Sequence, residues 1–120
     1  MDFKEYQKAA HSTAVYPEEL GVIYPALKLA GEAGEVAEKI GKMLRDGTLY
    51  LDELRGAHVE NGMTAEQDDA LKKELGDVLW YVAEIATVMG WTLDQVAAQN
   101  IDKLSLRSLR NVLIGDGDNR

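Results

Sequence analysis

Gly31-Glu32-Ala33-Gly34-Glu35 and Lys73-Glu74-Leu75-Gly76-Asp77 decide how this chain is read. Each stretch carries two carboxylates three residues apart, and on a helix residues three apart are surface neighbours. Two helices that face each other would therefore bring four carboxylates together. Two like charges about 4 Å apart repel by about 4 kcal/mol at an effective dielectric near 20, so such a cluster must shift its pKa values or hold cations. Oxygen-only ligands favour hard ions, Mg²⁺ or Mn²⁺.

The rest of the chain supplies the helices. Residues 24–45 form one expected helix, with Pro25 in its first turn and Gly47 as its stop signal. A second spans 65–89, with Thr64 as N-cap and Gly90 beyond its end. Shorter helices are expected over residues 3 to about 15 and 93 to about 109, the latter with Thr92 as N-cap. No period-2 pattern with a hairpin turn stands out, so the fold class is all-α: a bundle of four main helices, completed by oligomerisation. One domain, 1–120, is expected. Its irregular parts are a long connection at about 46–63, with a short helix near Leu51 to Leu54, and a polar tail at 115–120. Glycines and poor periodicity make the connection the segment expected to be most mobile.

At about 100° per residue, Leu29, Ala33, Val36, Ile40 and Met43 make one apolar stripe, and Leu71, Leu75, Val78, Val82, Ala86 and Met89 another. Glu32 and Glu35 border the first, with Lys39 between them in projection. Glu74, Asp77 and Tyr81 border the second. Gly31, Gly34 and Gly76 each weaken a helix by about 1 kcal/mol relative to Ala, and close approach of the two helices is the expected reason for them. The plain alternative is a set of solvated carboxylates paired with Lys28, Lys39 and Lys73. Asn100, Lys103 and Arg107 share one face of the last helix; an amide, an ammonium and a guanidinium there suit phosphate oxygens and sugar hydroxyls. His11 and His58 read as surface or packing residues, with a catalytic base the alternative. Trp80 and Trp91 read as core or interface residues, with base stacking the alternative for Trp80. The Tyr81 hydroxyl projects with the acidic face, within reach of a phosphate.

Composition narrows the function classes. Lys and Arg number 13 against 21 Asp and Glu, a net charge of −8, which argues against binding a nucleic-acid polymer or an anionic membrane. Without cysteine, thiolate metal sites and cysteine nucleophiles are excluded. No apolar signal region or membrane span is read, and a cytoplasmic location is the expectation.

Taken together, the run from Ala26 to Val36, the run from Glu74 to Tyr81 and Asn100-x-x-Lys103-Leu104-x-x-Arg107 resemble the MazG-like nucleotide pyrophosphohydrolases of the all-α NTP pyrophosphatase superfamily; the tail resembles that of phage-type members. The resemblance covers about residues 20–110. It implies helical oligomers, homodimers or homotetramers, that hydrolyse nucleoside or deoxynucleoside triphosphates to monophosphate and pyrophosphate with Mg²⁺. It implies Glu32, Glu35, Glu74 and Asp77 as metal ligands, and Asn100, Lys103 and Arg107 as substrate contacts. Lys39 and Tyr81 join the substrate-binding candidates, and Glu35 is the first choice to take the proton of the attacking water. One departure stands out: residues 36–73, 38 in number, separate the two pairs, more than is usual in the family. A di-iron carboxylate bundle would need Glu-x-x-His pairs, and neither histidine supplies one. The rival outside enzymes is a non-catalytic helical module whose acidic face binds a basic partner.

Overall fold

The computed structural model describes residues 1–59 and 62–110; the tail expected at 115–120 lies outside them. Helix α1 spans Phe3–Ser12, and a 3₁₀ turn follows at Glu18–Leu20. Helix α2 spans Ile23–Arg45, strands β1 (Leu49–Asp52) and β2 (Gly56–Val59) come next, and α3 (Ala65–Val88) and α4 (Leu93–Leu109) complete the order. Apart from the one hairpin the described chain is all-α.

The starts of α1, α3 and α4 follow side-chain caps. Thr64 and Gln67 form a reciprocal capping box at α3, as do Thr92 and Gln95 at α4, each satisfying two otherwise orphaned backbone N–H groups. Asp2 and Glu5 do the same for α1. Gly90 takes φ +76° just past α3, the left-handed residue that ends a helix cheaply. Helix α1 stops short of the expected position near Val15. The hydroxyls of Ser12 and Thr13 donate to the carbonyls of Ala9 and Ala10 at 2.6 and 2.7 Å, which closes the last turn on itself.

The connection is a hairpin, not a short helix at Leu51 to Leu54. Leu49 pairs with Val59, Tyr50 with His58, Leu51 with Ala57 and Asp52 with Gly56. The Asp52 carboxylate accepts the backbone N–H groups of Leu54 and Arg55 at 2.9 and 2.6 Å, and Gly56 supplies φ +67°. That is the chemistry of a three-residue hairpin loop closed by a left-handed glycine.

Helices α2 and α3 pack antiparallel. Tyr24 meets Tyr81, Lys39 meets Glu74, and beyond the helix end Thr48 meets Gln67. Helices α1 and α4 close on α3 through three alanines and a leucine: Ala10, Ala83, Ala86 and Leu93 form the buried cluster, flanked by Tyr6, Trp80 and Val82. Among the described residues the buried apolar set is thin. Met43 and Pro25 add to it, while Leu27 is 71 % exposed, Leu75 52 %, and Ile23 and Leu44 are exposed as well. A Cβ built at Gly31, Gly34 or Gly76 would meet nothing within 4 Å. Close approach of α2 and α3 within one chain is therefore not the reason for these glycines.

Candidate acidic metal site

Helix α2 delivers Glu32 and α3 delivers Glu74 and Asp77 to one place. One carboxylate oxygen from each lies within 4.8 Å of the others. Glu32 and Glu74 are half-buried and Asp77 is exposed. The i, i+3 spacing puts Glu74 and Asp77 on one face of α3, and antiparallel packing turns that face toward Glu32. Partial neutralisation comes from two lysines: Lys39 Nζ stands 3.6 Å from Glu74 Oε1, and Lys28 Nζ 3.9 Å from Glu32 Oε1.

Glu35 is exposed and is not one of the close trio. Its carboxyl turns to Glu38, and the hydrogen bond with Glu38 and that residue's charge raise its pKa first, with desolvation, Glu74 and Glu32 adding to the shift. Glu38 is pulled the other way by its hydrogen bond and charge pairing with Lys42, whose Nζ lies 3.2 Å away. Glu35 is thus the member of the pair that keeps a proton longest, and it still feels the trio.

A cavity of about 290 Å³ opens beside the trio, lined by Thr13, Glu32, Asp77, Trp80 and Tyr81. Next to it is an aromatic cavity of about 260 Å³, and the two share Thr13, Trp80 and Tyr81. Trp80 is fixed in this wall. Its indole N–H donates to the Thr13 hydroxyl at 2.9 Å, and its ring meets Tyr81 edge-on at 4.8 Å. Burial raises the Tyr81 pKa first, then the neighbouring Tyr24 phenol, then Glu32 and Asp77. The Tyr81 phenol therefore faces the acidic trio with its proton on.

Helix α4 lies elsewhere. Asn100 is exposed, Lys103 half-buried and Arg107 buried at 3 % exposure. Among the described residues no α4 side chain lines either cavity. His58 stacks on Tyr50 in the hairpin, a packing role. His11 does more than the sequence suggested: its Nδ1 lies 3.0 Å from Oε1 of Glu84, which is itself 1 % exposed. Tyr16 donates its hydroxyl to the same Glu84 oxygen at 2.8 Å. The signal was in the sequence, since Glu84 is the one charge in the apolar run from Val78 to Trp91. It also falls at i+7 from Asp77 and i+3 from Tyr81, on their side of the helix.

A family model described as the MazG nucleotide pyrophosphohydrolase domain matches residues 25–110, more than half the chain. The chain belongs to the MazG family. The match runs from the first turn of α2 to the end of α4 and takes in both acidic pairs. A second MazG-family comparison is structural: the crystal structure of iMazG from Vibrio DAT 722 superposes with a TM-score of 0.55, covering 90 % of this chain and 96 % of that one at 23 % identity. It shows the same fold. "Gene 37 protein" of Mycobacterium phage L5 is 40 % identical over 121 residues, covering 96 % of each chain.

Proposed function

We propose that this MazG-family protein hydrolyses a nucleoside or deoxynucleoside triphosphate to the monophosphate and pyrophosphate, with water attacking the α-phosphorus. The observation that carries the reading is the trio Glu32, Glu74 and Asp77, drawn from two helices to within 4.8 Å of one another. Three carboxylates against two partly engaged lysines leave net negative charge in a half-buried place, which suits a hard divalent cation bound through oxygen. In this reading Glu32, Glu74 and Asp77 hold Mg²⁺ or Mn²⁺, and Glu35 joins from the next turn. When bound, the cation supplies Lewis-acid polarisation of phosphoryl oxygens and a lowered water pKa.

The chain's own groups do the rest. Glu35, whose raised pKa brings it nearer neutrality, accepts the proton of the attacking water. Lys39, set against Glu74 at the edge of the trio, would hold a phosphate oxygen of the bound nucleotide. Tyr81 donates its hydroxyl to a phosphate oxygen, and the Trp80 wall packs the nucleoside. Asn100 and Lys103 are the accessible α4 groups for substrate, while Arg107, buried in its own chain, supports α4. The exposed Ile23, Leu27, Leu44 and Leu75 are the surface on which a homodimer or homotetramer closes. No helix among the described residues is long and apolar enough to cross a membrane.

A panel of NTPs and dNTPs with Mg²⁺ and pyrophosphate detection, run in ¹⁸O-water, tests the reaction. Label is expected in the nucleoside monophosphate and none in pyrophosphate. Label in pyrophosphate, or orthophosphate and a nucleoside diphosphate as first products, rules the mechanism out. Absence of any metal-dependent hydrolysis favours the non-catalytic acidic module instead.

A further inference from the structure

Glu84 is a charge that the reaction above does not use, and its burial needs an explanation. A carboxylate taken out of water is strongly disfavoured unless its oxygens are well paired. Here both oxygens are engaged from one stretch of chain: Oε1 accepts the Tyr16 hydroxyl at 2.8 Å, and His11 Nδ1 sits 3.0 and 3.3 Å from Oε1 and Oε2. A cavity of about 570 Å³ adjoins them, but a carboxylate so committed has little capacity left for a ligand. What the pairing does is pin the segment that joins α1 to α2. Thr13, Val15, Tyr16 and Pro17 of that segment form one side of the aromatic cavity, opposite Tyr24, Trp80 and Tyr81.

The contacts then run on without a gap. The Tyr16 ring stacks on Tyr24 with centroids 4.9 Å apart and planes 25° from parallel. Tyr24 packs tilted against Tyr81 at 6.5 Å. Tyr81 stands edge-on to Trp80, and Trp80 returns to the pinned segment through Thr13. Tyr81 therefore has aromatic neighbours on two sides, both tied to the same short connector, and its third side is the wall shared with Glu32 and Asp77.

We propose that Tyr16, anchored by buried Glu84, is a positioning residue that fixes Tyr81 through the Tyr24 ring and so aims the Tyr81 hydroxyl at the nucleotide phosphates. This rests on the function proposed above. The rings touch in sequence, so a shift of the Tyr16 ring is passed to the stacked Tyr24 ring and from it to Tyr81. Loss of the Tyr16 hydroxyl frees the connector end of the wall without removing a ring from it.

The test is a double-mutant cycle in the full chain with Tyr16→Phe and Tyr81→Phe, read as kcat and KM for a hydrolysed triphosphate. Each single variant is expected to lower kcat by about tenfold, the size of effect typical of residues supporting a ligand's orientation. The double variant is expected to fall no further than about twofold below either single one, since both remove the same interaction. Effects that multiply to about a hundredfold would show that Tyr16 acts independently of Tyr81 and overturn the proposal. A second measurement needs no turnover: ¹³C-tyrosine NMR, in which the Tyr81 ring signals should move in Tyr16→Phe and also in Glu84→Gln. Tyr81 signals left in place by both changes overturn the positioning, whereas a wild-type chain that hydrolyses no nucleotide counts against the proposed function alone.

Discussion

Lys39 of α2 reaches across the helix pair to Glu74 of α3, its Nζ 3.6 Å from Oε1. The contact places a monovalent cation where the proposed function needs a divalent one. The two compete for the same carboxylate.

That competition predicts the behaviour of metal and variants together. Mg²⁺ or Mn²⁺ at about 100 times its dissociation constant adds about 2.7 kcal/mol to stability, roughly 10 °C in Tm for a chain of this size. The rise should disappear with EDTA. Glu32→Gln, Glu74→Gln and Asp77→Asn should each lower kcat/KM by at least about 100-fold and abolish the cation-induced rise. Lys39→Met should bind Mn²⁺ more tightly by calorimetry while raising KM. Normal activity in all three carboxylate variants would refute the site.

Alkaline pH should unfold the aromatic wall. Burial first, then the hydrogen bond to Glu84 and that group's charge, push the Tyr16 phenol up to about 12. A folded-state pKa raised above the unfolded value of 10 contributes stability that is complete below pH 10 and is lost as the pH rises toward 12. Burial also raises Tyr6 and Tyr81, and they act in the same direction. Tyr16→Phe should therefore flatten part of the fall in Tm above pH 10, measured by circular dichroism.

The hairpin turn should be separable from the chemistry. Asp52→Ala removes two backbone hydrogen bonds and the contacts with Arg55 and His58, a destabilisation confined to the turn. Leu54 at the tip is 97 % exposed. Trypsin should then cut after Arg55 faster than in the wild type, by mass spectrometry, with kcat unchanged.

Assembly can be read from mass. The wild type should scatter light as a dimer or larger at micromolar concentration, because a chain exposing Leu27 and Leu75 beside so small a buried set gains by covering them. Leu27→Asp should lower the mass toward that of one chain. A compact wild-type monomer would contradict the oligomer.

The helices and the acidic trio were legible because each is written in local code. Three-residue spacing fixes the face, and Thr64, Thr92 and Gly90 mark ends through short-range bonds. The hairpin was not legible from alternation: its strands are four residues each, and neither buries one face cleanly. Its signal lay instead in Asp52 and Gly56, whose turn chemistry is easily passed over amid mixed charge. Spacing groups Glu35 with the other carboxylates but does not reveal that Glu38, one turn on, takes its carboxyl. The lone charge at Glu84 stands out in its apolar run, but its partners stand 68 and 73 positions away, and only packing brings such residues together.

The capping box at Thr64 has a consequence for how the two acidic pairs keep their alignment. Helix α3 begins on its own signal, and Gln67 fastens to Thr48, so the ends of α2 and α3 are joined by a bond that lies outside the two strands. The register of Glu32 against Asp77 is then held by a bond that does not count the residues of that excursion. A chain with such a neutral stretch can lengthen, shorten or replace it while the chemistry stays put, and a reporter group inserted at Leu54 would sit on the molecule as a passenger.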